Sequence, residues 1–150
     1  MTTAYDVPPE DLIKKVAESL KKDDKFTPPE WAPYVKTGVH RENPPLEQDW
    51  WHIRVAAVLR KIYINSPVGI NQLSAMFGGS RDRGSKPDKA VKGSRAIIRT
   101  SLQQLESAGY VTQLEKKGRI ITPAGQAFID NISHTVLQDA ISKHPDLSKY

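Results

Sequence analysis

The chain has 150 residues, of which 38% are hydrophobic and 26% are charged, with a formal net charge of +5 and no cysteine. This length favours one domain with an ordinary core, and the lack of cysteine excludes disulfides and thiolate metal sites. No apolar run approaches the roughly 20 residues of a membrane span, and the N-terminus lacks a signal-peptide apolar region, so we expect a cytoplasmic type of domain.

The first predicted element is a helix from Pro9 or Glu10 to about Lys22. Apolar residues recur through it at helical spacing, while lysines and acids occupy the opposite side. We interpret this helix as one that packs on the core.

Residues 23–48 are predicted to form a proline-rich arm across the domain surface, with one helical turn around Pro29–Pro33. Trp31 and Tyr34 are its strong anchors. Lys36, Arg41 and the turn at Thr37–Gly38 are candidates for contact with a partner.

A central helix is predicted from Trp50 to about Asn65, with Asp49 as its N-cap. It is apolar around most of its circumference, which is typical of a helix packed on several sides. Arg54 and Lys61 share one polar strip, and His52 and Arg60 share another. Because a buried arginine is costly unless paired, these cations should reach an internal carboxylate or an anionic partner, and we favour the partner.

A short helix, about Ile70 to Phe77, precedes a predicted basic loop. The stretch from Gly78 to Arg99 carries seven basic and two acidic residues, a balance of +5 that equals the net charge of the whole chain. Clustered cations are typical of phosphate binding, although a solvated basic loop is the plainer alternative. The basic residues are Arg81, Arg83, Lys86, Lys89, Lys92, Arg95 and Arg99.

Ser94 is predicted to cap a third long helix, Arg95 to about Ala108, which ends at Gly109. Arg95, Arg99 and Gln103 are spaced by four and therefore line up opposite its apolar side.

Two short strands follow, Tyr110–Leu114 and Arg119–Thr122, with Lys116, Lys117 and Arg119 at or near the tip of their turn. Thr122 then caps a last helix that ends near His144, and residues 145–150 are expected to fray.

Helix, turn, short helix, loop, longer helix and hairpin is the winged-helix order of elements. We therefore predict a mainly α fold: a helical bundle with a winged-helix-type core and one small β-hairpin, in a single domain spanning residues 1–150.

Ten segments between Tyr5 and Gly125 carry a shared resemblance. They are Tyr5–Pro8, Trp31–Ala32, Val35–Gly38, Asp49–Trp51, Arg54–Ala56, Arg60–Tyr63, Gly78–Gly79, Leu102–Glu106, Gly118–Arg119, and Thr122–Pro123 with Gly125. Together they resemble one family, small-subunit ribosomal protein nineteen of the archaeal and eukaryotic type, and the resemblance runs from Tyr5 to about Ile132. It implies a domain of winged-helix character bound to ribosomal RNA in the head of the small subunit, and a role in maturing the precursor RNA. Arg54 and Arg60 match basic positions of the family's central helix, so the resemblance implies that they face the RNA.

Enzyme chemistry is not indicated. The four histidines lack metal-ligand spacing, and Lys92–Gly93–Ser94 has the reverse of the P-loop order of glycine and lysine. We expect no catalytic residues, no metal and no cofactor.

The leading hypothesis is therefore a ribosomal RNA-binding structural protein of the small subunit, adjacent to other ribosomal proteins and monomeric outside the ribosome. One alternative is a winged-helix DNA-binding regulator that reads bases with Gln103 and Gln104. Another is a protein adaptor that uses Trp31 and Tyr34. The predicted RNA-binding residues are Lys36, Arg54, Arg60, Lys61, Arg81, Arg83, Lys86, Lys89, Lys92, Arg95, Arg99, Lys116, Lys117 and Arg119.

Overall fold

The structure is a computed structural model that describes residues 1–150. It contains five α-helices, four β-strands and three short 3-10 helices. The α-helices are α1 (Pro9–Lys21), α2 (Trp50–Asn65), α3 (Ile70–Met76), α4 (Arg95–Ser107) and α5 (Pro123–Lys143). The strands are β1 (Gly79–Arg83), β2 (Lys86–Val91), β3 (Val111–Leu114) and β4 (Gly118–Ile121), and the 3-10 helices are Asp24–Phe26, Ala32–Tyr34 and Pro145–Lys149.

Helix α2 is central, as its wide apolar surface predicted. Its side chains at Trp51, Val55, Leu59 and Ile62 are buried in one hydrophobic cluster of 22 residues. Helices α1 and α4 pack against it, and α5 packs against α1. The helices therefore enclose α2 and leave their polar sides to the solvent.

All three predicted N-cap positions are confirmed, and at two of them the side chain forms the cap hydrogen bond. Ser94 Oγ accepts a hydrogen bond from the Ile97 amide at 3.4 Å, and Thr122 Oγ1 accepts one from Gly125 at 3.1 Å. Asp49 occupies the predicted N-cap position of α2, but its carboxylate forms no cap hydrogen bond and instead pairs with Lys21 Nζ at 3.1 Å.

The basic segment was predicted as a loop, and this is wrong. Strands β1 and β2 form an antiparallel hairpin, which we call hairpin 1, with an irregularity in register between Arg81 and Arg83. Gly84 occupies the turn with φ +72°. The segment has almost no apolar residues, so it could not show the alternation by which half-buried strands are recognised. Residues 80–90 are all exposed.

Strands β3 and β4 form the predicted wing, which we call hairpin 2. Its strand β4 is joined to the turn before α3 by a bridge between Arg119 and Val68. The mainly α fold with a winged-helix-type core is confirmed, with two small hairpins instead of one. Pro145–Lys149, expected to fray, form a short exposed 3-10 helix.

Candidate nucleic-acid interface

Three separate segments meet at the start of α4. Gly38 of the arm forms a β-bridge with Gly93, and Ser94 N donates to Thr37 O at 3.0 Å. Gly93 N donates to Ser74 O of α3 at 2.8 Å. These backbone bonds fasten the arm, the base of hairpin 1 and the N-terminus of α4 to one another. We call this meeting point the junction.

Cations from all three segments line two open clefts at the junction. Lys36, Lys92 and Arg95 line the first, together with the backbone of the α4 N-terminus. Lys36, Arg41 and Arg81 line the second, which also contains the carboxylates of Glu42 and Asp82. Lys36 belongs to both clefts, so they form one continuous surface lined by five cations and two carboxylates.

The first turn of α4 adds partial positive charge to this surface. Arg95 and Arg99 are exposed and lie opposite the buried Ile97 and Ile98. A helix N-terminus offers unpaired N–H groups and the positive end of the helix dipole, both of which favour phosphate oxygens. This end of α4 is therefore suited to an anion.

Hairpin 1 places like charges directly opposite each other. Arg81 faces Lys89 across the two strands, and Arg83 faces Lys86. All four side chains line one surface depression, and none has a carboxylate within 4.0 Å. Because opposed like charges destabilise an antiparallel pair, this arrangement favours a bound polyanion.

Arg54 of α2 lies beneath the junction. Its guanidinium carbon is 4.6 Å from the centroid of the Phe77 ring, a cation–π contact, and no carboxylate pairs with it. Burial, and then the nearby charge of Arg41, lower its pKa. An arginine that is largely desolvated without a counter-ion is suited to an anionic partner.

Arg60 and Lys61 lie farther along α2 and line none of the clefts at the junction. Both side chains are half-buried, and Nε of Arg60 is buried without a hydrogen-bond partner. At a rise of about 1.5 Å per residue, they sit roughly 10 Å from Arg54 along the helix axis.

The tip of hairpin 2 forms a separate basic spot. Lys116 and Lys117 are exposed and do not line either of the two clefts at the junction. Arg119 is the one predicted RNA-binding residue that forms an ion pair within the protein: its Nε donates to Glu106 Oε1 at 3.0 Å, and its side chain is only 18% exposed. Glu106 lies on α4, and only the fold brings these two residues together.

Two residues that the alternative functions relied on are structural. Gln104, predicted as a base-reading side chain, accepts a hydrogen bond from Trp51 Nε1 at 2.9 Å and donates to Thr27 O at 2.9 Å. Trp31 packs edge-on against Trp51 with ring centroids 5.8 Å apart. Of the arm's aromatic residues, only Tyr34 remains open, at 87% exposure.

No group of three or more His, Asp and Glu side chains is arranged to hold a metal ion. None of the five α-helices has the length and apolar content to cross a membrane.

Comparison with known proteins identifies the family. The profile of the family described as "Ribosomal protein S19e" matches residues 3–139. The chain is 44% identical over 150 residues to "Small ribosomal subunit protein eS19" of Thermoplasma acidophilum, covering 100% of this chain and 99% of that one. It is 42% identical over 154 residues to the protein of that name in Haloarcula marismortui, with the same two coverages.

A eukaryotic relative shows the same likeness at greater distance. "Small ribosomal subunit protein eS19B" of Schizosaccharomyces pombe is 37% identical over 134 residues, covering 89% of this chain and 94% of that one. These relatives are named as ribosomal proteins and not as enzymes, in agreement with the prediction that the chain is no enzyme. The identity is high and spans nearly the whole length, so the chain belongs to the S19e family of ribosomal proteins.

Proposed function

We propose that this protein is a structural constituent of the small ribosomal subunit that binds ribosomal RNA in the head of the subunit. Its relatives carry the name of a small-subunit protein. The observation that carries the RNA-binding role is the unpaired cationic surface at the junction. Of the fourteen predicted RNA-binding residues, only Arg119 forms an ion pair within the protein.

The mechanism is recognition of the RNA backbone. Lysines and arginines on rigid helices and on a hairpin contact phosphates without reading base sequence, and RNA helices and junctions are recognised largely by shape. Lys36, Lys92 and Arg95 form the centre of the contact surface, with Arg54 beneath it. Hairpin 1 extends this surface, and Lys61 and the tip of hairpin 2 supply further contacts.

The same surface supports a role in maturation of the small subunit. A protein that fixes the shape of one RNA region stabilises the folded precursor on which later processing depends. In the cell we place the protein in the ribosome in the cytoplasm, beside neighbouring small-subunit proteins, and as a monomer when it is free.

The test is binding to a transcript of the small-subunit head RNA at several salt concentrations. With about six phosphate contacts, we expect a log–log slope of about −4 to −5. Arg95→Glu should weaken binding at least tenfold while its melting temperature stays near that of the wild type, since Arg95 is exposed. Lys22→Glu makes the same charge change at an exposed residue just after α1 that lines neither cleft, and it should bind as the wild type does.

A slope near zero, or equal weakening by both variants, would contradict the proposal. Tighter binding to duplex DNA than to the folded RNA at one stated salt concentration would favour the DNA-binding alternative.

A further inference from the structure

The side chain of His40 lies between the backbone of the arm and the backbone of hairpin 1. A Cβ atom on Gly38 would lie 2.7 Å from Cε1 and Nδ1 of the ring, and a Cβ atom on Gly79 would lie 2.9 Å from its Cδ2. Real Cβ atoms do not approach so closely. The imidazole therefore fills a space that exists only because both positions are glycine.

The ring is held in an environment that disfavours its charged form. Its Nδ1 atom is buried and has no hydrogen-bond partner. A protonated imidazole carries an N–H on both nitrogens, so protonation would leave a buried donor unpaired. Burial, followed by the charges of Arg41 and Arg54, lowers the pKa of His40, and the ring is neutral at neutral pH.

Charged groups face this ring from every element packed around it. The arm contributes Lys36, Arg41 and Glu42, strand β1 contributes Arg81 and Asp82, and α2 contributes Arg54. Four of these six groups are cations, and neither carboxylate forms an ion pair with His40. A positive charge on the ring would therefore be repelled by the surrounding cations.

We propose that the neutral imidazole of His40 is a positioning residue for RNA binding: it wedges the arm against hairpin 1 and so keeps Lys36, Arg41 and Arg81 on one surface. This inference rests on the proposed function. His40 acts by aligning these three cations, and it loosens the arm when it takes up a proton.

A neutral wedge and a phosphate-binding cation at position 40 predict opposite effects of acid on RNA binding. If His40 were a simple phosphate-binding cation, acid would add a charge and strengthen RNA binding. For a neutral wedge, acid expels the ring and weakens binding. A histidine whose pKa is lowered by folding stabilises the closed arrangement above its ordinary pKa of 6.5, and this stabilisation is lost as the pH falls below that value.

The first experiment needs no RNA. In the free full-length protein, NMR should show the backbone amides of Gly38, Gly79 and Gly93 shifting together with the His40 ring between about pH 7.5 and pH 5. Amides that stay unchanged while His40 titrates would overturn the wedge, whatever the outcome of the RNA-binding test.

The second experiment measures affinity for the head RNA transcript at constant salt. From about pH 7.5 to pH 5.5, we expect the wild-type Kd to rise about 3- to 10-fold. His40→Phe keeps a neutral ring, so it should bind as the wild type does at the higher pH and lose the pH dependence. His40→Ala should bind about tenfold more weakly at both pH values with its circular dichroism unchanged.

The matched control is His134→Gln, a change at an exposed histidine on α5, which should keep the wild-type pH profile. Tighter wild-type binding in acid, or wild-type affinity in His40→Ala, would overturn the proposal. If His40→Ala fails to fold, the proposal is tested by the affinity of His40→Phe and by the pH dependence of wild-type binding. If the wild type does not bind the head RNA at pH 7.5, the proposed function is contradicted. The NMR experiment then tests the role of His40 by itself.

Discussion

Arg54 is a largely buried cation that the protein leaves without a counter-ion. Its charge is largely removed from water, it stacks on Phe77, and no carboxylate compensates it. Replacing a buried ion pair by apolar groups of similar volume is often neutral or stabilising. A buried charge without a counter-ion lacks even the compensating attraction of a pair, so its replacement should cost the fold little. The unpaired guanidinium is therefore better explained by a contact outside the chain than by stability.

We predict that Arg54→Met leaves the stability of the fold unchanged or higher but weakens RNA binding. The free energy of unfolding should stay equal or rise by up to about 1 kcal/mol, measured by urea denaturation. Affinity for the head RNA should fall by about tenfold, since a charge-assisted contact is lost.

The control for Arg54→Met is Lys22→Met, which removes an exposed charge just after α1 and should change neither the free energy of unfolding nor the affinity for RNA. A loss of more than 2 kcal/mol on Arg54→Met would show that the arginine stabilises the fold itself.

The cross-strand charge pairs of hairpin 1 destabilise it in the free protein. Two cross-strand pairs of like charge lie within a few residues of each other, and residues 80–90 bury nothing in the core. Two-stranded hairpins are marginally stable in water without further packing. We infer that a polyanion stabilises hairpin 1 by neutralising these pairs.

Changing Arg81, Arg83, Lys86 and Lys89 together to Gln tests this element. Because the side chains are exposed, the melting temperature should change by less than about 2 °C. The salt dependence of RNA binding should lose up to about 3 units of log–log slope if all four contact phosphates.

A matched variant with Lys14, Lys22, Lys143 and Lys149 changed to Gln loses the same total charge from α1 and the end of the chain. It should keep nearly the wild-type slope. Equal slopes in the two variants would mean that only net charge matters and that hairpin 1 has no special role.

Across the whole molecule, some cations pair with the protein's own carboxylates and others have no such partner. The lysines of α1 pair with Glu10, Asp139 and Asp49 at 2.8, 3.2 and 3.1 Å. The cations of the junction and hairpin 1 have no such partners. The lysines of α1 are thus neutralised within the protein, while the junction and hairpin 1 hold cations without ion pairs.

The global stability in alkali should depend on Tyr63, which links α2 to α5 by donating its hydroxyl hydrogen to Asp130 Oδ1 at 2.7 Å. Burial, and then this hydrogen bond, raise the pKa of Tyr63 to about 12. The folded state therefore favours the neutral phenol, so the stabilisation is complete below an ordinary pKa of about 10 and is lost as the pH rises toward 12.

Tyr63→Phe measures this contribution. At neutral pH the variant should unfold about 1 kcal/mol more easily than the wild type, because the hydrogen bond is lost. The difference should shrink between about pH 10 and pH 12, followed by denaturant titration at each pH. A difference that stays constant through this range would show that Tyr63 ionises equally in both states.

The sequence alone predicted the long helices, the wing, the winged-helix order and the family, because helical periodicity, caps and motifs are local properties of the chain. It also located the charge excess in one stretch. Hairpin 1 was missed because strands without buried residues leave no periodic signal.

Which cations lie together depends on the tertiary structure. It paired Arg119 with Glu106, joined Lys36 and Arg41 to the base of hairpin 1, and placed His40 between Gly38 and Gly79. Residues far apart in sequence can neutralise or align one another only through the packed fold, since electrostatic and packing energies depend on distance in space and not on position along the chain.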